Sequence, residues 1–249
     1  MTKTPIYALP LNISPESAQA AFKQICGPLA EGLVVVSGFP YPLLCRPDTS
    51  DIPVIFDTFG GLYHIPPVTL PQTAIIVDLG ANIGCTMAHF AALYSQATIT
   101  GVELDAENAR LAVQNTQHFG QRCRVVEAAI WSHDGEVSYE GIAAWGLHVS
   151  AQGSRPTRAL SMATLLASIS TPQESTPQID FLKIDIEGGE RELFTGDCPW
   201  LQRIRSLKVE IHDLPELFQT LPALLKRHGF QVAKDTRHWS ALCAWRAGS

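Results

Sequence analysis

The 249-residue chain lacks a basic excess: 18 Lys and Arg stand against 24 Asp and Glu, a formal charge of −6 with histidine neutral. A protein that grips a phosphate backbone needs a net cationic face to displace counterions, so nucleic acid is not an expected partner. No apolar run approaches the roughly 20 residues of a membrane helix, and Met1-Thr2-Lys3-Thr4-Pro5 leads into no signal-peptide core. A soluble, cytoplasmic protein without a membrane span is the expectation. The six cysteines are scattered. Cys26, Cys45, Cys85, Cys123, Cys198 and Cys243 form no C-x-x-C pair and have no histidine at zinc spacing, which points to thiols in a reducing compartment. Internal repeats and low-complexity tracts are missing too. What the chain has is apolar content: 46% hydrophobic against 17% charged residues supports a sizeable core and is not the composition of disorder.

Two regions differ in pattern. Residues 1–70 are proline-rich and only locally periodic, and read as a cap or lead-in to a domain over residues 71–249. Within the lead-in, Ser14 is placed to cap a helix with Pro15 in its first turn, Ala18, Ala21, Phe22 and Ile25 on one face, and Gly27-Pro28 as the stop. A short strand at Leu33-Val34-Val35-Val36 follows, then a second short helix after Asp51 carrying Val54, Ile55 and Phe59 and ending at Gly60-Gly61.

From about Ala74, apolar strands alternate with amphipathic helices, the pattern of right-handed βαβ units on a parallel sheet. Strands are predicted over residues 75–78, 99–104, 124–126, 181–186 and 207–211, with a final pair at 230–233 and 241–245. Together they make an α/β fold with a central, mostly parallel seven-stranded sheet and helices on both faces. Asp105 is expected to cap the helix after the second strand. Residues 131–178 read as a loop-rich insertion over one end of the sheet, with a hairpin signal at His133-Asp134-Gly135, a helix near 161–168 and a linker from Thr171-Pro172 to Thr176-Pro177. The last helical stretch opens at Asp213 with Glu216 three residues on, and Pro222 is expected to split it in two.

The segment Asp78-Leu79-Gly80-Ala81-Asn82-Ile83-Gly84 joins a strand end, a tight turn and a helix start. Gly80 lets a ligand approach the backbone and Gly84 permits close packing, although glycines at such turns also serve purely steric ends. Nineteen residues after Gly84, Glu103 ends the second strand, where a carboxylate can accept both hydroxyls of a ribose. The spacing suits an adenosine. Dinucleotide sites usually carry G-x-G-x-x-G; here the spacing is G-x-x-x-G, and Asp78 close by would repel pyrophosphate and suit a cationic amino-acid group.

Central parallel strands are normally apolar on both faces. Here Leu182, Ile184 and Ile186 alternate with Lys183, Asp185 and Glu187, and Leu207, Val209 and Ile211 alternate with Lys208, Glu210 and His212. If the two strands are neighbours, their polar faces form one ionisable patch at the carboxyl ends, where open α/β sheets bind ligands. An ordinary Lys183–Glu210 ion pair is the plainer alternative.

With these residues in view, the sequence resembles the FkbM-type methyltransferases, enzymes dependent on S-adenosylmethionine with the Rossmann-like class I methyltransferase fold. The resemblance rests on Val77-Asp78-Leu79-Gly80-Ala81-Asn82-Ile83-Gly84, Gly101-Val102-Glu103-Leu104-Asp105, Phe181-Leu182-Lys183-Ile184-Asp185-Ile186-Glu187-Gly188-Gly189-Glu190 and Val209-Glu210-Ile211-His212. It spans about residues 46–213. Leu104 stands where the family often has proline, and residues 141–158 match no part of its pattern.

The resemblance implies O-methylation of a sugar, polysaccharide or natural-product acceptor. It implies that Asp78, Gly80, Ala81, Asn82 and Gly84 line the methionine end of the cofactor, that Glu103 with Leu104 meets the ribose, that Ala128 and Ala129 lie near the adenine, and that Asp185 sits near the sulfonium. His212 is the first choice of base, since an unperturbed imidazole titrates near neutrality, with Asp185 or Glu187 as substitutes if burial raises the carboxyl. Asp185, Glu187, Glu210 and His212 also offer ligands to a divalent metal, but methyl transfer needs none and no metal is expected. Trp131, Trp145, Tyr139 and Tyr63 could stack on an acceptor. His64, His89 and His148 read as packing or surface residues. Two other classes stay open: a nicotinamide-dependent oxidoreductase, and a non-catalytic module that binds the cofactor. Oligomeric state is not legible.

Overall fold

Seven strands form the central sheet of the computed structural model, which describes residues 6–9, 14–26, 31–47, 49–141, 146–169, 177–212 and 214–248. Their spatial order is β13 (Phe230–Lys234), β14 (Ala241–Arg246), β12 (Ile204–Glu210), β11 (Ile179–Ile184), β4 (Ile75–Leu79), β5 (Thr98–Glu103) and β6 (Cys123–Glu127). All neighbours are parallel except those of β14, which runs against both β12 and β13. The expected sheet is therefore the observed one. Its helices are α3 (Cys85–Leu93), α4 (Ala106–Thr116), α5 (Met162–Ala167), α6 (Glu190–Leu193) and α7 (Pro215–Arg227).

Both faces of the sheet are covered, which is why the strands are so apolar. On one face Val77, Leu79, Leu182, Ile184, Leu207 and Val209 pack with Leu165 and Leu166 of α5, Leu193 of α6, and Leu221 and Leu225 of α7. On the other, Ile76, Ile99 and Phe181 meet Met87 and Phe90 of α3. The register sets Lys183 beside Asp78 on β4 and Lys208 on β12, so three polar residues sit side by side in the middle of the sheet.

The first seventy residues supply β1 (Ile6–Leu9), α1 (Pro15–Cys26), β2 (Gly32–Val36), β3 (Leu43–Cys45) and α2 (Asp51–Phe56), continued by a π-helical turn over Asp57–Gly61. The three strands form a small sheet of their own. Phe22, Val34, Leu43, Ile52 and Ile55 pack with Ile83, Cys85, Ala88 and Leu111, laying this segment over α3 and α4.

Two expectations are corrected. The region 131–178 is not mainly loop: β7 (Ala129–Trp131), β8 (Gly135–Glu140), β9 (His148–Val149) and β10 (Arg155–Ser161) make a second sheet in the order β7-β10-β8-β9. His133-Asp134-Gly135 therefore does not join a paired hairpin, because β10 lies between β7 and β8, parallel to the first and antiparallel to the second. Pro222 does not split the last helix, which runs unbroken through it. A proline inside a helix costs about 3 kcal/mol, and burial of Leu221 and Leu225 on either side, at about 1.5–3 kcal/mol each, offsets it. The Gly27-Pro28 stop, most of the 171–177 linker, Asp213 and Trp145 lie outside the described residues. Among the described residues no helix is long and apolar enough to cross a membrane. Cys45, Cys85, Cys123, Cys198 and Cys243 form no disulfide.

Candidate active site

The carboxyl ends of β4, β5, β11 and β12 open into one cleft, roofed by β7, Leu147 and Val149 of the insertion and by Val54, Asp57 and Tyr63 of the lead-in. At the end of β4 the chain turns at Gly80, whose φ of +78° favours glycine, and the Gly80 and Ala81 N–H groups donate to the Val102 carbonyl at 2.9 and 3.0 Å. A Cβ on Gly80 would fall 1.7 Å from the Asp185 carbonyl oxygen, so the turn is pressed against the end of β11. Gly84 has a different reason. At φ +82° its missing Cβ leaves room for the backbone of Ala112, 2.8 Å away, where α3 crosses α4.

Glu103, the last residue of β5, is buried and accepts the Asn82 N–H at 2.8 Å and the Asp105 N–H at 3.0 Å. Burial pushes its carboxyl up to about 7. Asp105 in turn caps α4 as expected, accepting from Glu107 and Asn108, while its other oxygen takes the Tyr139 hydroxyl of β8. One side chain thus ties the insertion to the start of α4, beside Glu103.

Asp78 does not face the cleft. It is fully buried, accepts from the Thr86 hydroxyl, and pairs with the Lys183 ammonium at 3.1 Å. Lys183, 2% exposed, also reaches Asp185 at 3.2 Å and the Gly80 carbonyl at 3.3 Å. The ammonium neutralises Asp78, so the expectation that this carboxylate repels a pyrophosphate from the turn has no basis. The pairing with Asp78 and Asp185 also replaces the Lys183–Glu210 pair considered from sequence.

His212, just past β12, lies among four carboxylates. Its Nδ1 is 3.0 Å from Oε1 of the fully buried Glu190, and its Nε2 faces Glu210, Asp185 and Glu187 at 3.4, 3.6 and 3.6 Å. Although burial works against the charge, these partners raise the imidazole to about 11. The premise of an unperturbed histidine is therefore wrong at this position. Burial pushes Glu187 up to about 7, whereas His212 and His238 hold Glu210 below its ordinary value. Asp185, Glu187 and His212 bring one donor atom each within 4.8 Å of one another. Each ring nitrogen faces a carboxylate, so the imidazole has an acidic partner on both sides.

Of the residues expected at the site, Gly80, Ala81, Asn82, Glu103, Leu104, Ala128, Ala129, Asp185, Glu187 and His212 line the cleft, while Asp78 and Gly84 stand behind it. Tyr63 and Trp131 line it, and Tyr139 is buried against Asp105. His64 is buried and shares a hydrogen bond of 2.9 Å with His89. Sequence reading missed Asp57 and His238, which also line the cleft, and the anchoring role of Glu190. The Glu190 signal was present at the end of the Lys183-to-Glu190 motif; Asp57 and His238 come from a lead-in turn and the β13–β14 loop, where no motif marks them.

Residues 78–232, more than half of the chain, match the Methyltransferase FkbM domain. Hexuronic acid methyltransferase AglP of Haloferax volcanii is 28% identical over 141 residues, covering 55% of this chain and 56% of that protein. The 31-O-demethyl-FK506 methyltransferase FkbM of Streptomyces tacrolimicus is 41% identical over 59 residues, 23% of this chain and 22% of that protein. The chain thus spans about half the length, or less, of the curated relatives it matches. The crystal structure of methyltransferase FkbM from Methylobacillus flagellatus KT aligns with a TM-score of 0.50 at 16% identity, over 78% of this chain and 53% of that one, a likeness of fold. With the motif residues gathered around a single cleft and the domain match running from the glycine turn into β13, the chain belongs to the FkbM methyltransferase family.

Proposed function

We propose that the protein is an S-adenosylmethionine-dependent methyltransferase that methylates a hydroxyl of a sugar, polysaccharide or natural-product acceptor. The observation that carries the cofactor is Glu103, a buried carboxylate at the end of β5 beside the Gly80-Ala81-Asn82 turn, in a cleft with an apolar slot of Val102, Leu104, Ala128, Ala129 and Ile130. The donor set fits an adenosyl group: a carboxylate for the ribose hydroxyls, small apolar residues for a purine, and Asp185 beside the turn for positive charge. The relatives named above, a hexuronic acid methyltransferase and an FK506-type methyltransferase, support the reaction class and a hydroxylated acceptor.

In this reading the cofactor supplies an electrophilic methyl group, and everything else is the chain's work. Gly80, Ala81 and Asn82 hold the methionine end and Glu103 the ribose, with Asp78 and Gly84 shaping the turn from behind. Lys183 pairs with Asp185 and fixes it in place. Val54, Asp57 and Tyr63 of the lead-in line the acceptor side of the cleft, where they would exclude water and hold an acceptor hydroxyl within reach of the transferable methyl group. The test is transfer from cofactor carrying a deuterated methyl group to a panel of neutral sugars, hexuronic acids and hydroxylated macrolides, read by mass spectrometry. Label on a hydroxyl oxygen supports the proposal; label found only on nitrogen, carbon or a carboxylate oxygen contradicts it.

A further inference from the structure

Among the described residues both ring nitrogens of His212 face only carboxylate oxygens: Nδ1 meets Glu190, and Nε2 meets Glu210, Asp185 and Glu187. A neutral imidazole has one N–H and one lone pair, and a lone pair aimed at a carboxylate is repulsive. Only the imidazolium, with two N–H donors, satisfies this arrangement. Glu190 enforces it, because it is fully buried on the far side of the ring and also accepts the Ile186 and Gly188 N–H groups at 3.3 and 3.0 Å, so it does not swing away. His212 therefore has no lone pair to offer an incoming hydroxyl.

The proton must go to one of the carboxylates, and their partners differ. Asp185 is paired with the buried Lys183 ammonium. Glu210 accepts the Ser240 hydroxyl at 3.2 Å and lies between His212 and His238, 3.7 Å from the latter. Among the described residues Glu187 has neither a lysine nor a hydroxyl partner; its one cationic neighbour there is the shared His212. It is also the most open of the three, its side chain 31% exposed on the cleft wall, carried by a backbone at φ +50°.

We propose that His212 is a fixed cation that positions the cluster, held by Glu190, and that Glu187 is the catalytic residue that takes the proton of the acceptor hydroxyl. This rests on the methyl-transfer reading: as the new C–O bond forms and the C–S bond breaks, its electron pair leaves with sulfur and the hydroxyl proton passes to a Glu187 carboxylate oxygen. The charged groups facing Glu187 are His212, Asp185, Glu210 and Glu190, and those facing His212 are the same carboxylates with Glu187 itself. A carboxyl pushed up to about 7 is a stronger base than one held below its ordinary value, which favours Glu187 over Glu210.

The test needs no acceptor. In isotopically labelled protein, both His212 nitrogens should show imidazolium 15N shifts from pH 6 to 9, and the Glu187 carboxyl 13C signal should titrate near neutrality. In His212→Gln the Glu187 midpoint should rise by about 1–3 pH units, the effect of removing an adjacent opposite charge. If that variant does not fold, Glu187→Gln should keep the His212 imidazolium and lose one near-neutral carboxyl titration, that of Glu103 remaining. An unprotonated His212 nitrogen at pH 7, an unmoved Glu187 midpoint, or displacement of the Nε2 proton by millimolar Mg2+ or Mn2+ would each overturn the proposal. With an acceptor in hand, kcat of Glu187→Gln should fall about 10²–10⁴-fold, while His212→Gln keeps a rising limb shifted to alkaline pH. Loss of that limb would make His212 the base. Failure of the cofactor to bind, with the spectra as expected, would refute methyl transfer and leave the protonation pattern standing.

Discussion

Replacing Lys183 with methionine tests whether the polar register across the sheet is an ion network or a tolerated accident. The ammonium is 2% exposed, 3.1 Å from the fully buried Asp78 and 3.2 Å from Asp185. Removing one partner of a buried pair leaves an uncompensated charge and costs about 3–5 kcal/mol, a large share of the roughly 5–15 kcal/mol by which domains are stable. Asp185 can turn to the cleft and its water; Asp78 keeps only the Thr86 hydroxyl. The cost therefore falls on Asp78, and Asp78→Asn combined with Lys183→Met should recover more than half of it, a coupling readable from a double-mutant cycle. Burial already raises the Asp78 carboxyl despite Lys183, and without the ammonium it rises further. A raised carboxyl favours the fold below its unfolded value and loses that benefit as pH rises through the folded one. The deficit of Lys183→Met should accordingly be smaller at pH 5 than at pH 8. Urea unfolding of the four proteins at both pH values gives every term. A single variant within 1 kcal/mol of wild type, or a double variant no better than the single, would refute the reasoning.

Gly84→Ala should cost about 1–3 kcal/mol, because its Cβ meets the Ala112 backbone at 2.8 Å in a left-handed conformation; a midpoint in thermal unfolding equal to wild type would contradict this. Asp105→Ala should lose about 1 kcal/mol of helix capping and release Tyr139, so that amides of β8 exchange faster while those of β11 do not. Since His212 is raised from 6.5 to about 11, its charged form contributes stability that is complete below 6.5 and lost as pH climbs through 11. Wild type should thus weaken between neutrality and pH 11 more steeply than His212→Gln, as read from Tm against pH; equal slopes would count against the cluster.

The sheet was legible because β4, β5 and β11 are buried on both faces and advertise themselves as apolar runs between turn residues. Glu103 and the Lys183-to-Glu190 motif were legible for the same reason, sitting at strand ends that chain direction identifies. The insertion was not. Its strands are as short as two residues, interrupted by glycine and proline, and pair out of sequence order, so local pattern carries neither their existence nor their register. Pro222 misled because its penalty is local while the compensating leucine burial is tertiary. Asp78 misled most: the residue that neutralises it lies 105 positions away, and only the parallel register of β4 and β11 brings the two together. The sequence could not show the charge on His212, since its protonation depends on carboxylates from two segments of chain, Asp185 to Glu190 and Glu210.

We propose that this cleft holds an adenosyl cofactor by the Glu103 carboxylate. Calorimetric titration of wild type and Glu103→Ala with S-adenosylmethionine, S-adenosylhomocysteine and NAD tests it most directly. Saturable binding of the first two, weakened at least about tenfold in the variant as expected for a lost hydrogen-bonded charge, is the predicted result. Binding of NAD alone, or cofactor binding indifferent to Glu103, would contradict the account.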